Sequence, residues 1–488
     1  MRIRDRRSRN RKIGALKAGT PVVLWLDSPA ERVTAPEEAL CVTGVCDPWH
    51  LLSGASATIV DADDELALLA GVRGIALECV GNGRFAKLAG TASISALRNI
   101  FRRAVGGFDY FDPYSGDPIS FEEAVAYCKF WRGLIDSNRD IRAAAGFAFW
   151  KRSTVSALLW GGADGTPFAR KTSAIRRGES VALWRSRTSA SAIASIERRG
   201  ARLVEVEDGF IRSAGLGADC IPPLSIVVDR LGAHFDAKRP SELEQLLQNH
   251  TFSSDILDRA RELRRLIVRS GVSKYECGRH SLRRRVQGKI HLLVTGQVED
   301  DRAVICGGAG LTSNLELLQR VRAHRPDAHI MYKPHPDVEA GHRVGAIRPD
   351  LCLSLADEIV SNEPISALLD LADEVHVNTS LAGFEALLRE KRVTTHGVPF
   401  YAGWGLTEDL GPVPPRRSAR RTLDELVAAV LLLYPRYLDP VTGLPCPAEV
   451  LVRRLAEPQT HRSDGVVVQI RRVQGRLKRG LAALRGTR

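Results

Sequence analysis

The sequence predicts an α/β protein of two Rossmann-like halves facing a cleft, preceded by a diverged α/β half-module. Three observations carry that reading. From about residue 180, short β-branched runs alternate with amphipathic helical stretches. A basic segment, 259–289, holding eleven Lys/Arg, divides the alternation into two blocks. A nine-residue pattern recurs near the two ends of the chain. At 488 residues, with 44% hydrophobic and 26% charged residues, the chain is a globular protein too long for one core.

The N-terminal residues 1–20, beginning MRIRDRRSRNRK, read as a basic arm. The apolar run behind them, PVVLWL, is too short for the core of a signal peptide. Residues 21–130 form the half-module. YFDPYSGDP (110–118) shares Tyr-x-Asp-Pro-x-(Ser/Thr)-Gly-x-Pro with YLDPVTGLP (437–445), and 55–85 loosely resembles 372–400. The earlier copy has no counterpart of Asn378-Thr379-Ser380 and is expected to be structural.

Residues 131–285 form the first Rossmann-like half, with strands at VALW (181–184), RLVEV (202–206) and SIVVD (225–229). Residues 286–460 form the second, with HLLVTG (291–296), HIMYKPHP (329–336), EVHVNTS (374–380) and VTTHG (393–397). This repetition predicts parallel sheets, with ligands bound at the C-terminal strand ends. Thr422 and Glu425 make a capping-box pattern ahead of LVAAVLLLY (426–434). In the tail, 461–488, Ile470, Val473, Leu477, Leu481 and Leu484 fall at helical spacing among arginines, a pattern suited to an anionic membrane surface.

Nine cysteines without a Cys-x-x-Cys or zinc-ligand spacing indicate free thiols in a reducing cytosol. No apolar run is long enough to cross a bilayer, so the expected location is cytoplasmic, peripheral on the inner face of the membrane. The net charge of +13 favours acidic partners. No motif that reads RNA or DNA accompanies it, so nucleic acid is not expected.

Three clusters at predicted strand ends carry chemistry. Glu207-Asp208-Gly209 sets two acids before a glycine expected to turn the backbone sharply. Paired carboxylates push one pKa upward, so one can act while the other orients or holds a proton. In YKPHP (332–336), Lys333 and His335 alternate on a segment stiffened by Pro334 and Pro336, a receptor for phosphate with a proton to give. In NTSLAGFEALL (378–388), Thr379 and Ser380 precede a helix whose first amides suit phosphate oxygens. There Gly383 permits close approach and Glu385 reaches toward ribose. Gln297 and Asp300 of GQVEDD follow the first strand of the second half and are expected to touch donor or acceptor. Arg212, four residues beyond Asp208, is a candidate receptor for a sugar carboxylate or an anionic acceptor sugar. FYAGWG (400–405) is either a closing loop or core packing through Tyr401 and Trp404.

The order of an acid-acid-glycine motif, a His-Pro motif and a Ser/Thr motif resembles bacterial transferases that use CMP-activated acidic sugars. More closely, VEDGFIRSAGLGADCIPPLSIVVD, GQVEDD, YKPHPDVEAG, TSLAGFEALLREKRVTTHGVPFYAGWGLTEDL and YPRYLDPVTGLPCP resemble the capsule-polysaccharide β-Kdo transferases, over roughly 150–455. That resemblance implies a GT-B-like fold and retaining transfer of Kdo from CMP-Kdo to a lipid-linked or Kdo-terminated glycolipid acceptor, serving capsule synthesis and the export machinery. It implies Asp208 as nucleophile with Glu207 supporting it. Were the outcome inversion, Asp208 would instead be the general base, and the sequence does not separate these roles. A single phosphate in the donor calls for no cofactor and no metal. Long members of the family carry two complete modules, whereas this chain has one full set and a degenerate copy. Competing readings are a transferase for another CMP-activated acidic sugar of sialic-acid type, and a non-catalytic scaffold of capsule export.

Overall fold

The computed structural model describes residues 1–457 except 18, 29–38, 45, 90–93, 163, 164, 166, 213–220, 274–281, 285, 342 and 362. The tail expected to be amphipathic, 461–488, lies outside the described residues. The chain divides into two compact units, Met1–Phe130 and Trp131–Arg488.

In the first unit, β1 (Val23–Leu26) pairs parallel with β2 (Leu40–Thr43), and β3 (Ala57–Asp61) with β4 (Ala76–Val80). β5 (Tyr110–Phe111) and β6 (Pro118–Ile119) form a hairpin. Leu52, Val60, Leu66, Leu68, Phe85 and Leu88 make its core. The expected basic arm is corrected. Arg6–Gly14 is a helix capped by Asp5, Arg2 bridges Val60, and Ile3 and Ile13 are buried. Two isoleucines give this basic segment an apolar face to bury, and Arg2 pairs with Asp64 at 3.0 Å.

The second unit holds two sheets. The first takes β7 (Ile141–Ala145), β8 (Ser180–Leu183), β9 (Arg202–Asp208) and β10 (Ser225–Asp229). The second takes β11 (His291–Thr295), β12 (His329–Lys333), β13 (Glu358–Ile359), β14 (Glu374–Val377), β15 (Arg392–Thr395) and β16 (Glu408–Asp409). β17 (Pro435–Leu438) and β18 (Pro445–Cys446) return to the first sheet. The orders are β18-β17-β10-β9-β8-β7 and β13-β12-β11-β14-β15-β16. This is a GT-B-like arrangement of two α/β halves. The capping box at Thr422 and Glu425 is present, and residues 426–431 behind it are buried, whereas Leu433 is exposed.

The second sheet is parallel throughout, as the strand–helix alternation predicts. The first departs from that expectation: β7, β8 and β9 are parallel, but β10 runs antiparallel to β9. The ladder continues past Asp208, with Gly209 N–H donating to Ser225 O at 3.0 Å and Leu224 N–H to Arg212 O at 2.7 Å. The chain therefore folds back on itself instead of crossing over.

The boundary of the second half also needs correction. At Pro435 the chain crosses back, and Tyr437 pairs with Ser225 of β10, so 435–457 belongs to the first sheet and not to the expected 286–460 block. Arg436 secures the crossing by donating to Leu158 O at 3.0 Å and Ser137 Oγ at 3.1 Å.

The repeated nine-residue pattern forms the same hairpin twice. Tyr110 opposes Ile119 and Phe111 opposes Pro118, while Tyr437 opposes Cys446 and Leu438 opposes Pro445. Asp112 accepts from the N–H groups of Tyr114 and Ser115, and Asp439 from those of Val441 and Thr442. Gly116 and Gly443 occupy matching left-handed positions, φ 79° and 70°, where a side chain is strained.

Candidate active site

Strand alternation decides where the two adjacent acids go. On β9, Val204 and Val206 join the core cluster that includes Val155 and Leu158 of the helix Phe149–Leu158. Asp208 continues on that face and meets Lys151 of the same helix, Oδ1 to Nζ at 3.0 Å. Its other oxygen, Oδ2, accepts from Arg212 Nε at 3.0 Å. Glu205 and Glu207 take the opposite face. There Arg302, the first residue of the helix Arg302–Gly307 in the second half, reaches Glu207 Oε1 at 3.0 Å and Glu205 Oε2 at 3.8 Å.

Glu207 and Asp208 therefore point to opposite faces of β9, and Glu207 is the member of the pair whose pKa rises. Asp208 faces Lys151 and Arg212, and Glu207 faces Arg302. Burial pushes the Glu207 carboxyl up to about 8; Arg302 opposes the rise, and Asp208 adds to it. Burial brings the Lys151 ammonium down to about 8 against the pull of Asp208. Its Nζ lies 3.3 Å from the centroid of the Trp184 ring.

Gly209 serves proximity and not a sharp turn. A Cβ there would stand 2.2 Å from Ser225 Oγ, so only glycine lets β9 and β10 stay in register at the acids. Phe210 then packs on Phe400, ring centroids 4.7 Å apart, joining the two halves directly behind the site. Tyr401 and Trp404 are fully buried, so FYAGWG packs as core and is not a loop over the cleft.

In the second half, His335 follows β12 as the N-cap of the short helix Pro336–Glu339. Its Nδ1 accepts from Asp337 N–H at 3.1 Å, which leaves the ring proton of the neutral imidazole on Nε2. Pro336 opens that helix. Lys333 does not share the target expected for it. It is buried, its ammonium donates to the carbonyl of Ser361, and Glu339 lies 3.8 Å away.

Gln297 and Thr379 are brought together by two bonds. Gln297 Nε2 donates to Thr379 Oγ1 at 2.9 Å, and Thr379 N–H donates to Gln297 Oε1 at 2.8 Å. Asn314 anchors Gln297, accepting from its N–H and donating to its carbonyl and to Gly345 O. Ser380 caps the helix Leu381–Leu388 through Ala382 N–H. Gly383 makes room for protein and not for ligand, since a Cβ there would lie 2.3 Å from Tyr401 Oη. Glu385 is buried on that helix, one turn in from Ser380.

Two further expectations change. Arg212 is 1% exposed and is spent on Asp208 and on Ile221 O at 2.8 Å, so it positions the acid and is not an open receptor for a carboxylate. Asp300 is exposed and pairs with Arg343 at 2.9 Å, a solvated surface pair.

The helix Arg302–Gly307 spans the distance between the clusters. Arg302 at its start holds Glu207, and a Cβ on Gly307 at its end would lie 3.1 Å from Thr379 Cγ2. Five residue steps, about 7.5 Å of helix rise, separate Arg302 from Gly307.

Sequence reading missed Lys151, Arg302 and Asn314. Lys151 had a signal: with Val155 and Leu158 it lies on the apolar stripe of its helix, where an unpaired charge is out of place. Arg302 and Asn314 had none, because their partners lie 95 and 17 residues away.

Residues 179–291 and 279–437 match the family described as capsule polysaccharide biosynthesis protein. The capsule polysaccharide modification protein LipA of Neisseria meningitidis (serogroup A) is 38% identical over 354 residues, 71% of this chain and 50% of LipA. The lipopolysaccharide-processing protein LpsZ of Rhizobium meliloti is 41% identical over 258 residues, 52% of this chain and 58% of LpsZ. This chain spans about half the length of the curated relatives it matches. Among solved structures, Thermosulfurimonas dismutans KpsC, β Kdo 2,4 transferase, superposes with a TM-score of 0.51 at 33% identity, covering 57% of this chain and 87% of that one. The KpsC β Kdo 2,7 transferase from the same organism is 39% identical at a TM-score of 0.47, covering 57% and 85%. The matched residues include Asp208, His335 and Ser380 and take in more than half of the chain, which belongs to the capsule polysaccharide biosynthesis protein family.

Proposed function

We propose that this chain is a glycosyltransferase that moves Kdo from CMP-Kdo to a lipid-linked or Kdo-terminated acceptor, with retention, in assembly of a capsule linker. The observation that carries the reading is Asp208, fixed at the end of β9 by Lys151 and Arg212 in a chain similar to KpsC Kdo transferases. A carboxylate held by two cations stays ionised and aimed, as a nucleophile requires. In this reading Asp208 attacks the anomeric carbon, and the CMP phosphate departs toward the Nε2–H of His335, the Thr379 hydroxyl and the Ser380 amide at the start of the helix Leu381–Leu388. The acceptor hydroxyl then enters from the side the phosphate left, displacing Asp208. Two inversions give retention.

The reading assigns no metal, because one phosphate monoester leaves and imidazole and helix amides meet its charge. A lipid-linked acceptor calls for work at a membrane surface. The net charge of +13 suits anionic lipid, and among the described residues no helix is long and apolar enough to cross a membrane.

The test is to incubate the protein with CMP-Kdo and a Kdo-terminated glycolipid and follow CMP release and product linkage. Release with CMP-Kdo and a retained anomeric configuration supports the reading. Turnover with CMP-sialic acid alone replaces the donor, an inverted product makes Asp208 the base, and no turnover with any donor leaves a scaffold.

A further inference from the structure

We infer that Lys151 is a positioning residue for the nucleophile: pinned on the face of Trp184, its ammonium holds Oδ1 of Asp208 while Arg212 holds Oδ2, so that the carboxylate is fixed in one orientation for attack. This inference rests on the proposed transferase reading and deepens it. The helix Phe149–Leu158 presents Lys151 from its core stripe, with the side chain 7% exposed. Its Nζ is 3.3 Å from the Trp184 centroid, 5.2 Å from that of Trp150, and 3.0 Å from Asp208 Oδ1. Asp208, Arg212 and Glu207 are the charged groups that act on it.

A role in stability alone accounts poorly for this lysine. Burying an ammonium costs desolvation, and an apolar side chain of similar length would pack on Trp184 without it. Asp208 already has Arg212 on its other oxygen, so its charge does not lack a partner without Lys151. What Lys151 adds is direction. With Arg212 on Oδ2 and Lys151 on Oδ1, the carboxylate plane is fixed from both sides. Nor does Lys151 serve as the acceptor's base: in double displacement the acceptor enters opposite the nucleophile, and Lys151 lies on the nucleophile's own side.

The step it serves balances simply. An Asp208 oxygen bonds to the anomeric carbon as the bond from that carbon to the CMP phosphate oxygen breaks, the leaving phosphate taking the electron pair. Asp208 loses its negative charge in the adduct, and Lys151 keeps its proton. Deprotonating Lys151 beforehand removes the hold, which ties the alkaline limb of the rate to this residue.

The experiment uses the full chain and CMP-Kdo without acceptor, following the glycosyl adduct by intact mass, with donor affinity by calorimetry and Tm for each variant. In K151M, adduct formation is expected to slow about 100-fold, with donor affinity within about threefold and Tm within a few degrees of wild type. K151R is expected to recover at least about a tenth of the wild-type rate and to carry the alkaline limb upward, since guanidinium does not titrate there. Adduct formed by K151M at the wild-type rate overturns the inference, as does a K151R whose alkaline limb stays in place. If K151M proves unfolded, the K151R limb alone decides. Wild-type protein that neither releases CMP nor forms adduct sinks the transferase reading itself, and this inference falls with it.

Discussion

Arg302 of the second half lies 3.0 Å from Glu207 of the first, so one hydrogen bond from a guanidinium to a carboxyl bridges the two halves at the acid beside the candidate nucleophile. Both side chains are largely buried, 25% and 16% exposed. Removing the cation leaves Glu207 beside Glu205 without the guanidinium that reaches both, while Glu205 keeps Arg185 at 2.7 Å. R302M is therefore expected to lower transfer by roughly 10- to 100-fold, since one preorganised charge contact is lost. Donor-dependent CMP release measures it, and an unchanged rate would show that the pair only buttresses the fold.

The raised Glu207 pKa makes a stability prediction with a definite sign. A carboxyl at about 8 in the folded state and near its ordinary value unfolded binds more protons when folded. Stability is then lost as pH rises from about 4.5 to about 8. E207Q has no such loss, so its Tm relative to wild type is expected to climb over that window. Melting curves at pH 5, 6.5 and 8 check it, and a constant difference would place Glu207 at an ordinary pKa.

Asp208 tolerates no substitute in the proposed reaction. D208N keeps the shape of the side chain and one acceptor oxygen, turns its amide NH2 toward one of the two cations, and lacks the nucleophilic anion. It is expected to bind CMP-Kdo, to lose transfer by at least about 1,000-fold, and to give no covalent adduct by mass spectrometry. Product made at the wild-type rate would remove Asp208 from the mechanism.

His335 has two jobs that substitution can separate. Its Nδ1 accepts the Asp337 N–H, and an asparagine oxygen can occupy that place. H335N should therefore keep the local cap and lose the Nε2 donor, slowing transfer by about 100-fold or more with little change in Tm. H335A should lose the cap as well, at about 1 kcal/mol. Equal rates for wild type and H335N would take the imidazole away from the phosphate.

Gly383 tests the packing beneath the Ser380 turn. An alanine Cβ meets Tyr401 Oη at 2.3 Å and Cζ at 2.8 Å in a fully buried ring, so neither side has room to yield. G383A is expected to destabilise by about 1–3 kcal/mol. A Tm equal to wild type would show that the helix Leu381–Leu388 can shift.

What the sequence revealed follows from how locally each feature is encoded. The seven expected strands from residue 180 are all present, because runs such as SIVVD and HLLVT are β-branched and buried on both faces. β7 was hidden, since IRAAA is alanine-rich and alanine favours helix. The antiparallel turn of β10 was hidden because strand direction leaves no mark on a buried β-branched run, and the return of β17 because its partner lies about two hundred residues earlier. Asp208 and His335 stood out through motif and spacing, whereas the cations that define Asp208 come from separate helices and loops. Lys333 and Arg212 drew notice as polar residues in promising places, but each is buried and bonded to its own chain.

The return of β17 to β10 also constrains how the protein is made. Until residue 435 leaves the ribosome, β10 has an open edge, and about two hundred residues separate the two strands. At about 5–20 residues per second, that edge waits roughly 10–40 s for its partner. The all-parallel sheet, complete by Asp409, can assemble within that interval while the nascent first half still exposes unpaired amides. Whatever shields β10 during synthesis, a chaperone or the neighbouring sheet itself, governs how much of the newly synthesised chain escapes aggregation.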